Sequence, residues 1–282
     1  MHYSTVVAIR KNSGVSTDDI LAPYNSQPDG NEPWLEFEVA VGKGKFREEA
    51  IRIIDGQKKA STEATSEKDK KHLESNLKLY EKYLYEKNYA GIFSVYYGGG
   101  FFKGDWGYWN NPNGFWDWYV VGGRWANYFK LKSEAKDYKK HLPDAFDNTP
   151  PKVGYADSAP LRYIDWEGKR ADAEKEAGEL YEKIKSQLGN GKLNKELTAL
   201  TSGIRISKSN RLEPKSKFVK RCGENGLIPY AFIDEDGILH EKVWDASPKT
   251  DKKRGVEYEN KWKEFLKNAD QDTILTIVDC HN

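Results

Sequence analysis

Apolar and polar residues follow two different periods along this chain, and the shorter period predicts strands. Residues 3–9 form a continuous apolar and β-branched run, which is typical of a strand buried on both faces. Residues 34–41 carry an apolar side chain at every second position, as a half-buried strand does. A final apolar run at 273–279 should pair with the first strand, which would place both ends of the chain in one sheet.

The longer period, with apolar residues three or four positions apart, predicts three principal helices. One follows Ser66, which is placed to cap its first turn, and the others cover 165–189 and 257–267. The remaining faces of these segments are rich in Lys and Glu, so each helix should bury one stripe and expose the rest. A shorter helix is predicted at 46–54, and the apolar run 91–97 is predicted to be a further strand.

The segment 105–125 is the most aromatic part of the chain and holds five of its nine tryptophans. Within it, residues 110–114 read Asn-Asn-Pro-Asn-Gly, which is a strong turn signal. We therefore expect the chain to double back as an irregular hairpin, with residues 115–121 as its second strand. Another hairpin is predicted at 229–244, where an Asp-Gly pair supplies the turn.

These elements together predict an α+β fold. We expect a mixed or antiparallel sheet that contains the N- and C-terminal strands, three main helices, and the aromatic-rich hairpin as an insertion. A ferredoxin-like arrangement is compatible with this set. Because both chain ends contribute to one sheet, residues 1–132 and 217–282 should form a single core. Residues 133–216 are expected to be a loop and long-helix excursion from that core.

The composition narrows the classes of function that this chain can have. Its 282 residues include 45 Lys and Arg against 44 Asp and Glu, a formal net charge of +1. This balance argues against an acidic protein that mimics DNA. It also argues against a strongly basic protein that binds a nucleic-acid duplex mainly by neutralising its phosphates. A local basic excess at 190–216 leaves nucleic acid as a less favoured partner, because such a run is usually a solvated face.

Low hydropathy and scarce cysteine favour a cytoplasmic protein. The mean hydropathy is −0.84, and no apolar run approaches the roughly 18 residues of a membrane span. The two cysteines, Cys222 and Cys280, lie far apart, so neither a disulfide framework nor a common structural zinc site is expected. We expect no membrane partner, no metal and no cofactor.

The end of the aromatic segment combines residue types that suit an anionic ligand. Successive N–H groups at Gly122 and Gly123 can form an anion-binding concavity. Arg124 would add a planar, permanently charged fork for a carboxylate or phosphate, and Asp117 would orient it. A structural interpretation stands beside this one, since a Gly-Gly pair often marks a tight bend and Asp117 with Arg124 would then form a plain ion pair.

Three tryptophans surround these polar residues. Trp116, Trp118 and Trp125 would stack on a nucleotide base or fill a pocket of a protein partner. Aromatic residues in sheets are also common core residues, so the pattern alone leaves both roles open. What favours a ligand site is the concentration of aromatic and polar anchors in one short stretch.

Candidates for catalysis are few, and no catalytic motif is present. Asp117 and His281 are the residues that could act as acid or base. Cys280 could be a nucleophile if its thiolate were stabilised. A histidine beyond a core strand is more often incidental, so an enzyme is the less favoured class at this stage.

The block Trp-Asp-Trp-Tyr-Val-Val-Gly-Gly-Arg-Trp at 116–125 resembles a family of uncharacterised bacterial and phage proteins that share Trp-Asp-Trp-Tyr-x-x-Gly-Gly-Arg-Trp. Two flanking pieces also fit, Leu21-Ala22-Pro23-Tyr24 after the first strand and Val278-Asp279-Cys280-His281 at the end of the last. The resemblance implies a phage-type accessory protein in the cytoplasm of a bacterial host. It implies no activity.

Three functions follow as hypotheses. The first is a binding or inhibitory protein that counteracts host defence by sequestering a nucleotide-like anionic ligand or by gripping a host protein. The second is an enzyme that acts on a phosphorylated or nucleotide substrate. The third is a structural or assembly protein that forms a homo-oligomer through its long charged helices.

Overall fold

The computed structural model describes residues 1–26, 32–135, 150–189, 212–242 and 248–282. Its strands are β1 (His2–Ile9), β2 (Glu36–Val41), β3 (Gly100–Phe102), β4 (Asp105–Asn110), β5 (Trp118–Val121), β6 (Phe129–Lys130), β7 (Tyr155–Ala156), β8 (Ser158–Pro160), β9 (Ala231–Ile233), β10 (Leu239–Glu241) and β11 (Ile274–His281). Its helices are α1 (Thr17–Leu21), α2 (Phe46–Glu63), α3 (Glu67–Tyr85), α4 (Tyr89–Tyr96), α5 (Trp166–Gly189), α6 (Lys215–Asn225) and α7 (Pro248–Asn268).

The chain forms two compact units, one of which is Pro23–Phe115. The larger unit contains Met1–Ala22 and Trp116–Asn282. The predicted α+β class is confirmed, with helices beside mixed sheets. The more specific ferredoxin-like arrangement stays a prediction. None of the described helices is both long and apolar enough to cross a membrane.

The larger unit is built on a six-stranded mixed sheet centred on β1 and β11. These two strands pair antiparallel along their whole length, from His2 opposite His281 to Ile9 opposite Ile274, as the apolar runs at the chain ends predict. On the far side of β1, β9 is parallel to it and β10 is antiparallel to β9. The outer edge of β11 pairs with β8 in its first half and with β5 in its second.

Two helical faces complete the larger unit. Tyr258 and Trp262 of α7 are buried against the sheet, and the indole N–H of Trp262 donates to the carbonyl oxygen of Leu227 at 3.0 Å. Helix α5 packs on α6 through a separate apolar cluster that includes Ile184 and Phe218. Both long helices therefore bury the faces that their periodicity predicts, and α7 begins earlier than expected.

The smaller unit has its own core between a three-stranded sheet, in the order β2-β4-β3, and helices α2, α3 and α4. The prediction of a strand at 91–97 is wrong, because this run lies in α4. The side chain of Asn88 accepts the N–H of Gly91 at 3.0 Å and so caps the helix, while Ile92 and Phe93 are buried in the core. Short apolar runs do not distinguish a buried strand from a buried helix.

The predicted hairpin across 110–114 is not observed. An aromatic-rich hairpin does exist, but it is formed by β3 and β4. Strand β5 instead pairs with β11. The reason lies in Asn111, whose side-chain amide donates to the carbonyl oxygens of Pro23 and Asn25 at 2.7 and 2.9 Å. These bonds tie the turn to an earlier segment, so the chain leaves the small sheet.

The units also differ from the predicted division into a core at 1–132 and 217–282 with an excursion at 133–216. Residues 23–115 separate because they enclose their own apolar core. The supposed excursion contributes Ala159, Leu161 and Ile164 to the main core and so belongs to the larger unit. Most of the basic segment 190–216 lies outside the described residues.

Candidate functional site

The Gly-Gly pair that follows β5 turns the chain onto the side chain of Asp279. Gly122 and Gly123 have positive φ angles of 77° and 53°, a region that glycine adopts without steric cost. A Cβ atom on Gly123 would lie 2.5 Å from that of Asp279, so space also requires glycine here. The backbone N–H of Arg124 donates to Oδ2 of Asp279 at 3.1 Å. The N–H of Gly122 donates instead to the carbonyl oxygen of Ile277 at 2.9 Å, so the N–H that meets a carboxylate at this turn is that of Arg124.

Asp279 in turn holds the ring of His2. The carboxylate is only 3% exposed, and its Oδ1 accepts a hydrogen bond from Nδ1 of His2 at 2.8 Å. A buried carboxylate needs such partners, because an unpaired charge in the protein interior is very unfavourable. His2 and the N–H of Arg124 satisfy this requirement together. The orientation of the His2 ring is thereby fixed from the interior of the sheet.

A second histidine–aspartate pair lies beside the first. Nδ1 of His281 donates to Oδ1 of Asp117 at 2.8 Å, and the backbone N–H of Asp117 donates to the carbonyl oxygen of His281 at 2.8 Å. Partial burial opposes ionisation of Asp117, but the hydrogen bond and charge of His281 outweigh it and hold the pKa of this carboxyl below its usual value. Asp117 and His281, predicted separately, are thus in direct contact.

Asp117 does not orient Arg124, contrary to the predicted pairing. Its carboxylate is occupied by His281 and by the backbone N–H of Trp118 at 2.9 Å. The Arg124 side chain is exposed, and its guanidinium has no hydrogen-bond or ion-pair partner within the described ranges. The Arg124 guanidinium therefore pairs with none of the described carboxylates and is available to a ligand.

Trp118 brings the two histidine rings together at one end of the sheet. It stacks on His281 with ring centroids 5.1 Å apart and an interplanar angle of 14°. His2 meets the edge of Trp118 at 5.3 Å and that of His281 at 4.9 Å. We call these three residues, with Asp117 and Asp279, the histidine cluster.

The partners of each Nδ1 atom determine what the histidine cluster offers to a ligand. An ionised carboxylate only accepts hydrogen bonds, so the proton shared with Asp117 or Asp279 must sit on the histidine Nδ1. Nε2 is then the free base of each neutral ring. Neither Nε2 has a hydrogen-bond partner among the residues described, and the side chains of His2 and His281 are 18% and 31% exposed. The cluster thus presents two oriented imidazoles at the surface.

The other two tryptophans of the predicted site are more buried than Trp118. Trp116 is 8% exposed, and its indole N–H donates to the carbonyl oxygen of Leu21 at 3.0 Å. Trp125 packs against the main apolar cluster of the larger unit. Trp118, at 42% exposure, has the largest free surface of the three for stacking on a ligand.

Cys280 is placed as a structural residue. Its side chain is fully buried, and burial raises the pKa of its thiol to about 12. A protonated, inaccessible thiol does not act as a nucleophile. The proposed nucleophilic role for Cys280 therefore has no support in the geometry.

We expect Cys280 to resist alkylation in the folded protein. At about pH 8, iodoacetamide should modify Cys222, which is partly exposed, while Cys280 should react only after denaturation. Peptide mapping by mass spectrometry measures both sites in one sample. Native labelling of Cys280 at the rate of Cys222 would contradict its assignment as a buried structural thiol.

The sequence-based prediction of the site does not include His2, and it assigns no role to Asp279. The two signals that could have found them are the buried charge in the apolar run 273–279 and the expected pairing of the first and last strands. In the register observed, His2 lies opposite His281, so the pairing itself places a second imidazole at the site.

Among the described residues, no group of three or more His, Cys, Asp and Glu side chains is arranged to hold a metal ion. No protein-family model matches the chain, and no match was found among curated proteins or among solved structures. The likeness of the 116–125 block to bacterial and phage proteins stays a prediction.

Proposed function

We propose that the protein is an enzyme that breaks a phosphate ester bond in a nucleotide-like substrate by general acid–base catalysis. One observation carries the proposal: two imidazoles lie 4.9 Å apart between ring centroids, and each has its Nδ1 held by a carboxylate at 2.8 Å. A carboxylate on one ring nitrogen fixes the orientation of the ring and leaves the other nitrogen for proton transfer.

The fixed charges around the imidazoles favour proton transfer over simple capture of an anion. Asp117 and Asp279 place two negative charges beside the imidazoles, so the cluster is net negative while both imidazoles are neutral. Such a site does not attract a phosphate. Protonation of one imidazole offsets this charge and supplies a general acid, while the other imidazole remains a base.

The proposed reaction uses these two forms together. The neutral imidazole takes a proton from the attacking water or sugar hydroxyl, whose oxygen forms the new bond to phosphorus. The imidazolium gives its proton to the leaving oxygen as the ester bond breaks. Arg124 would stabilise charge on the phosphoryl oxygens, and the exposed surface of Trp118 would contact the base. Asp117 and Asp279 are positioning residues in this scheme.

The proposal is tested by incubating the purified protein with nucleoside monophosphates, cyclic nucleotides and short oligonucleotides, and analysing the products by mass spectrometry. We expect one of these classes to be hydrolysed or cleaved with many turnovers for each protein molecule. A ligand that raises the melting temperature without any product would contradict the enzymatic proposal.

That second outcome would support a binding protein, the other function that a specific observation favours. Trp118 is 42% exposed and Arg124 has an unoccupied guanidinium, so both can contact a ligand without rearrangement. We propose in that case a protein that sequesters a nucleotide-like ligand or binds a host protein and so counteracts host defence. Its signature is a change in Trp fluorescence on binding that Trp118→Ala removes.

A further inference from the structure

A polar cavity of about 480 Å³ lies within the larger unit, apart from the histidine cluster. Its walls come from residues 125–128, from β7 and from the first half of α5. This volume falls within the range of small-molecule sites. The lining side chains used below are Tyr128, Lys152, Tyr155, Lys169, Asp172 and Glu176. None of the lining residues belongs to the histidine cluster.

Lys169 is the unusual group in this cavity. Its Nζ donates to the carbonyl oxygen of Tyr128 and lies 3.5 Å from the centroid of the Tyr128 ring. Burial lowers the pKa of Lys169 to about 8, although the charges of Glu176 and Asp172 act in the opposite direction. Near that pH about half of the Lys169 side chains are neutral, and a neutral amine is nucleophilic.

No carboxylate is paired with Lys169 in the part of the chain that the structure describes. Two acidic side chains of the same helix act on Lys169 through their charge, Glu176 more strongly than Asp172. Asp172 accepts from Nζ of Lys130 at 2.6 Å and from the hydroxyl of Tyr155. The Asp172 carboxylate therefore pairs with Lys130 and not with Lys169. A partly buried amine with no directly bonded carboxylate, at the wall of a cavity large enough for a substrate, is the arrangement of an amine nucleophile.

The hydroxyl of Tyr128 is a second polar group in this region that the fold leaves unpaired. It is buried and has no hydrogen-bond partner among the described residues. A buried hydroxyl left unpaired destabilises the fold. It is retained at the wall of the same cavity in which Lys169 lies.

We propose that Lys169 is an amine nucleophile and that this cavity binds a small aldehyde or ketone, which Lys169 holds as an imine. The nitrogen lone pair attacks the carbonyl carbon, and the carbonyl oxygen takes a proton to give a carbinolamine. The nitrogen, which has given its first proton to that oxygen, then gives up its second. The hydroxyl takes this proton and leaves as water while the carbon–nitrogen double bond forms. One water is released for each imine formed, and no oxidant or reductant is required. Glu176, an exposed residue of the cavity wall, is the group available to carry protons.

The test traps the imine in the intact protein. Glycolaldehyde or dihydroxyacetone is added below the protein concentration with cyanoborohydride, which reduces an imine to a stable amine. Lys175, an exposed lysine on the same helix, is the internal reference. At about pH 8 we expect Lys169 to be labelled at least about tenfold more than Lys175, because an ordinary lysine is then almost entirely protonated.

Two further readouts complete the test. The preference for Lys169 should fall as the pH is lowered from about 8 to about 6, since the amine becomes protonated in the presence of Asp172, Glu176, Tyr155 and Lys152. Lys169→Arg, which keeps the cation, should abolish the labelled peptide. Mapping of the unmodified protein needs no variant, so a folding defect in Lys169→Arg cannot mask the result. Equal labelling of both lysines, or labelling of Lys175 alone, would overturn the proposal.

Discussion

Replacing His281 by asparagine should lower kcat/KM for the phosphate-ester substrate by about 100-fold or more. General acid–base catalysis by a positioned side chain contributes roughly 10²–10⁴-fold, and asparagine cannot transfer a proton at neutral pH. Asparagine can still donate a hydrogen bond to Asp117, and position 281 is at the end of β11, so the fold should remain. Steady-state kinetics and circular dichroism measure the two effects separately.

His240 provides a matched control for this variant. Its Nε2 lies 2.8 Å from Oδ2 of Asp234, so it is also paired with a carboxylate, and it lies in the same unit outside the histidine cluster. His240→Asn should retain the kcat/KM of the unmodified protein. If both variants keep full activity, or lose it equally, the histidine cluster is not the catalytic site.

Replacing Gly123 by alanine should lower the free energy of unfolding by about 3 kcal/mol. A left-handed backbone costs a non-glycine residue roughly 1–2 kcal/mol, and overpacking adds about 1–3 kcal/mol. At φ 53°, the new Cβ would lie 2.5 Å from the Cβ of Asp279 and 2.9 Å from Cγ2 of Val120. These atoms belong to paired strands and cannot move independently. Chemical denaturation, monitored by Trp fluorescence, measures the loss.

Gly237→Ala separates steric contact from backbone strain. Gly237 also has a positive φ angle, 77°, but a Cβ atom there would meet no other atom within 4 Å. Its replacement should therefore cost only about 1 kcal/mol, the strain contribution alone. Equal losses in the two variants would show that contact with Asp279 does not constrain the turn after β5.

The parts of the fold that the sequence predicts are those with a strong local signal. The apolar runs at both ends predict the central pair of strands, and the Asp-Gly turn predicts the hairpin of β9 and β10. The run 91–97 is predicted as a strand but lies in a helix. Its residues are almost all apolar because the segment is largely buried, so they show no period that separates a helix from a strand. The turn at 110–114 is real, but its partners at Pro23 and Asn25 lie more than 80 residues earlier in the chain.

The candidate site was predicted only in part for the same reason. Asp117 and His281 can each be proposed as acid or base from their type, but their contact spans 164 positions and depends on the register of β5 with β11. Nothing in the sequence around His2 indicates a functional residue, and only the pairing of the strands places it beside His281. The Gly-Gly pair indicates a tight turn, but nothing in the local sequence indicates that this turn places the N–H of Arg124 on Asp279.

The most direct test of the central claim is a histidine side-chain ¹⁵N NMR spectrum with and without adenosine monophosphate. We expect neutral His2 and His281 to carry their proton on Nδ1. We also expect the nucleotide to shift the Nε2 signals of both rings and to leave the signals of His240 unchanged. The opposite tautomer in either ring, or a nucleotide response confined to His240, would contradict the histidine cluster as an acid–base site.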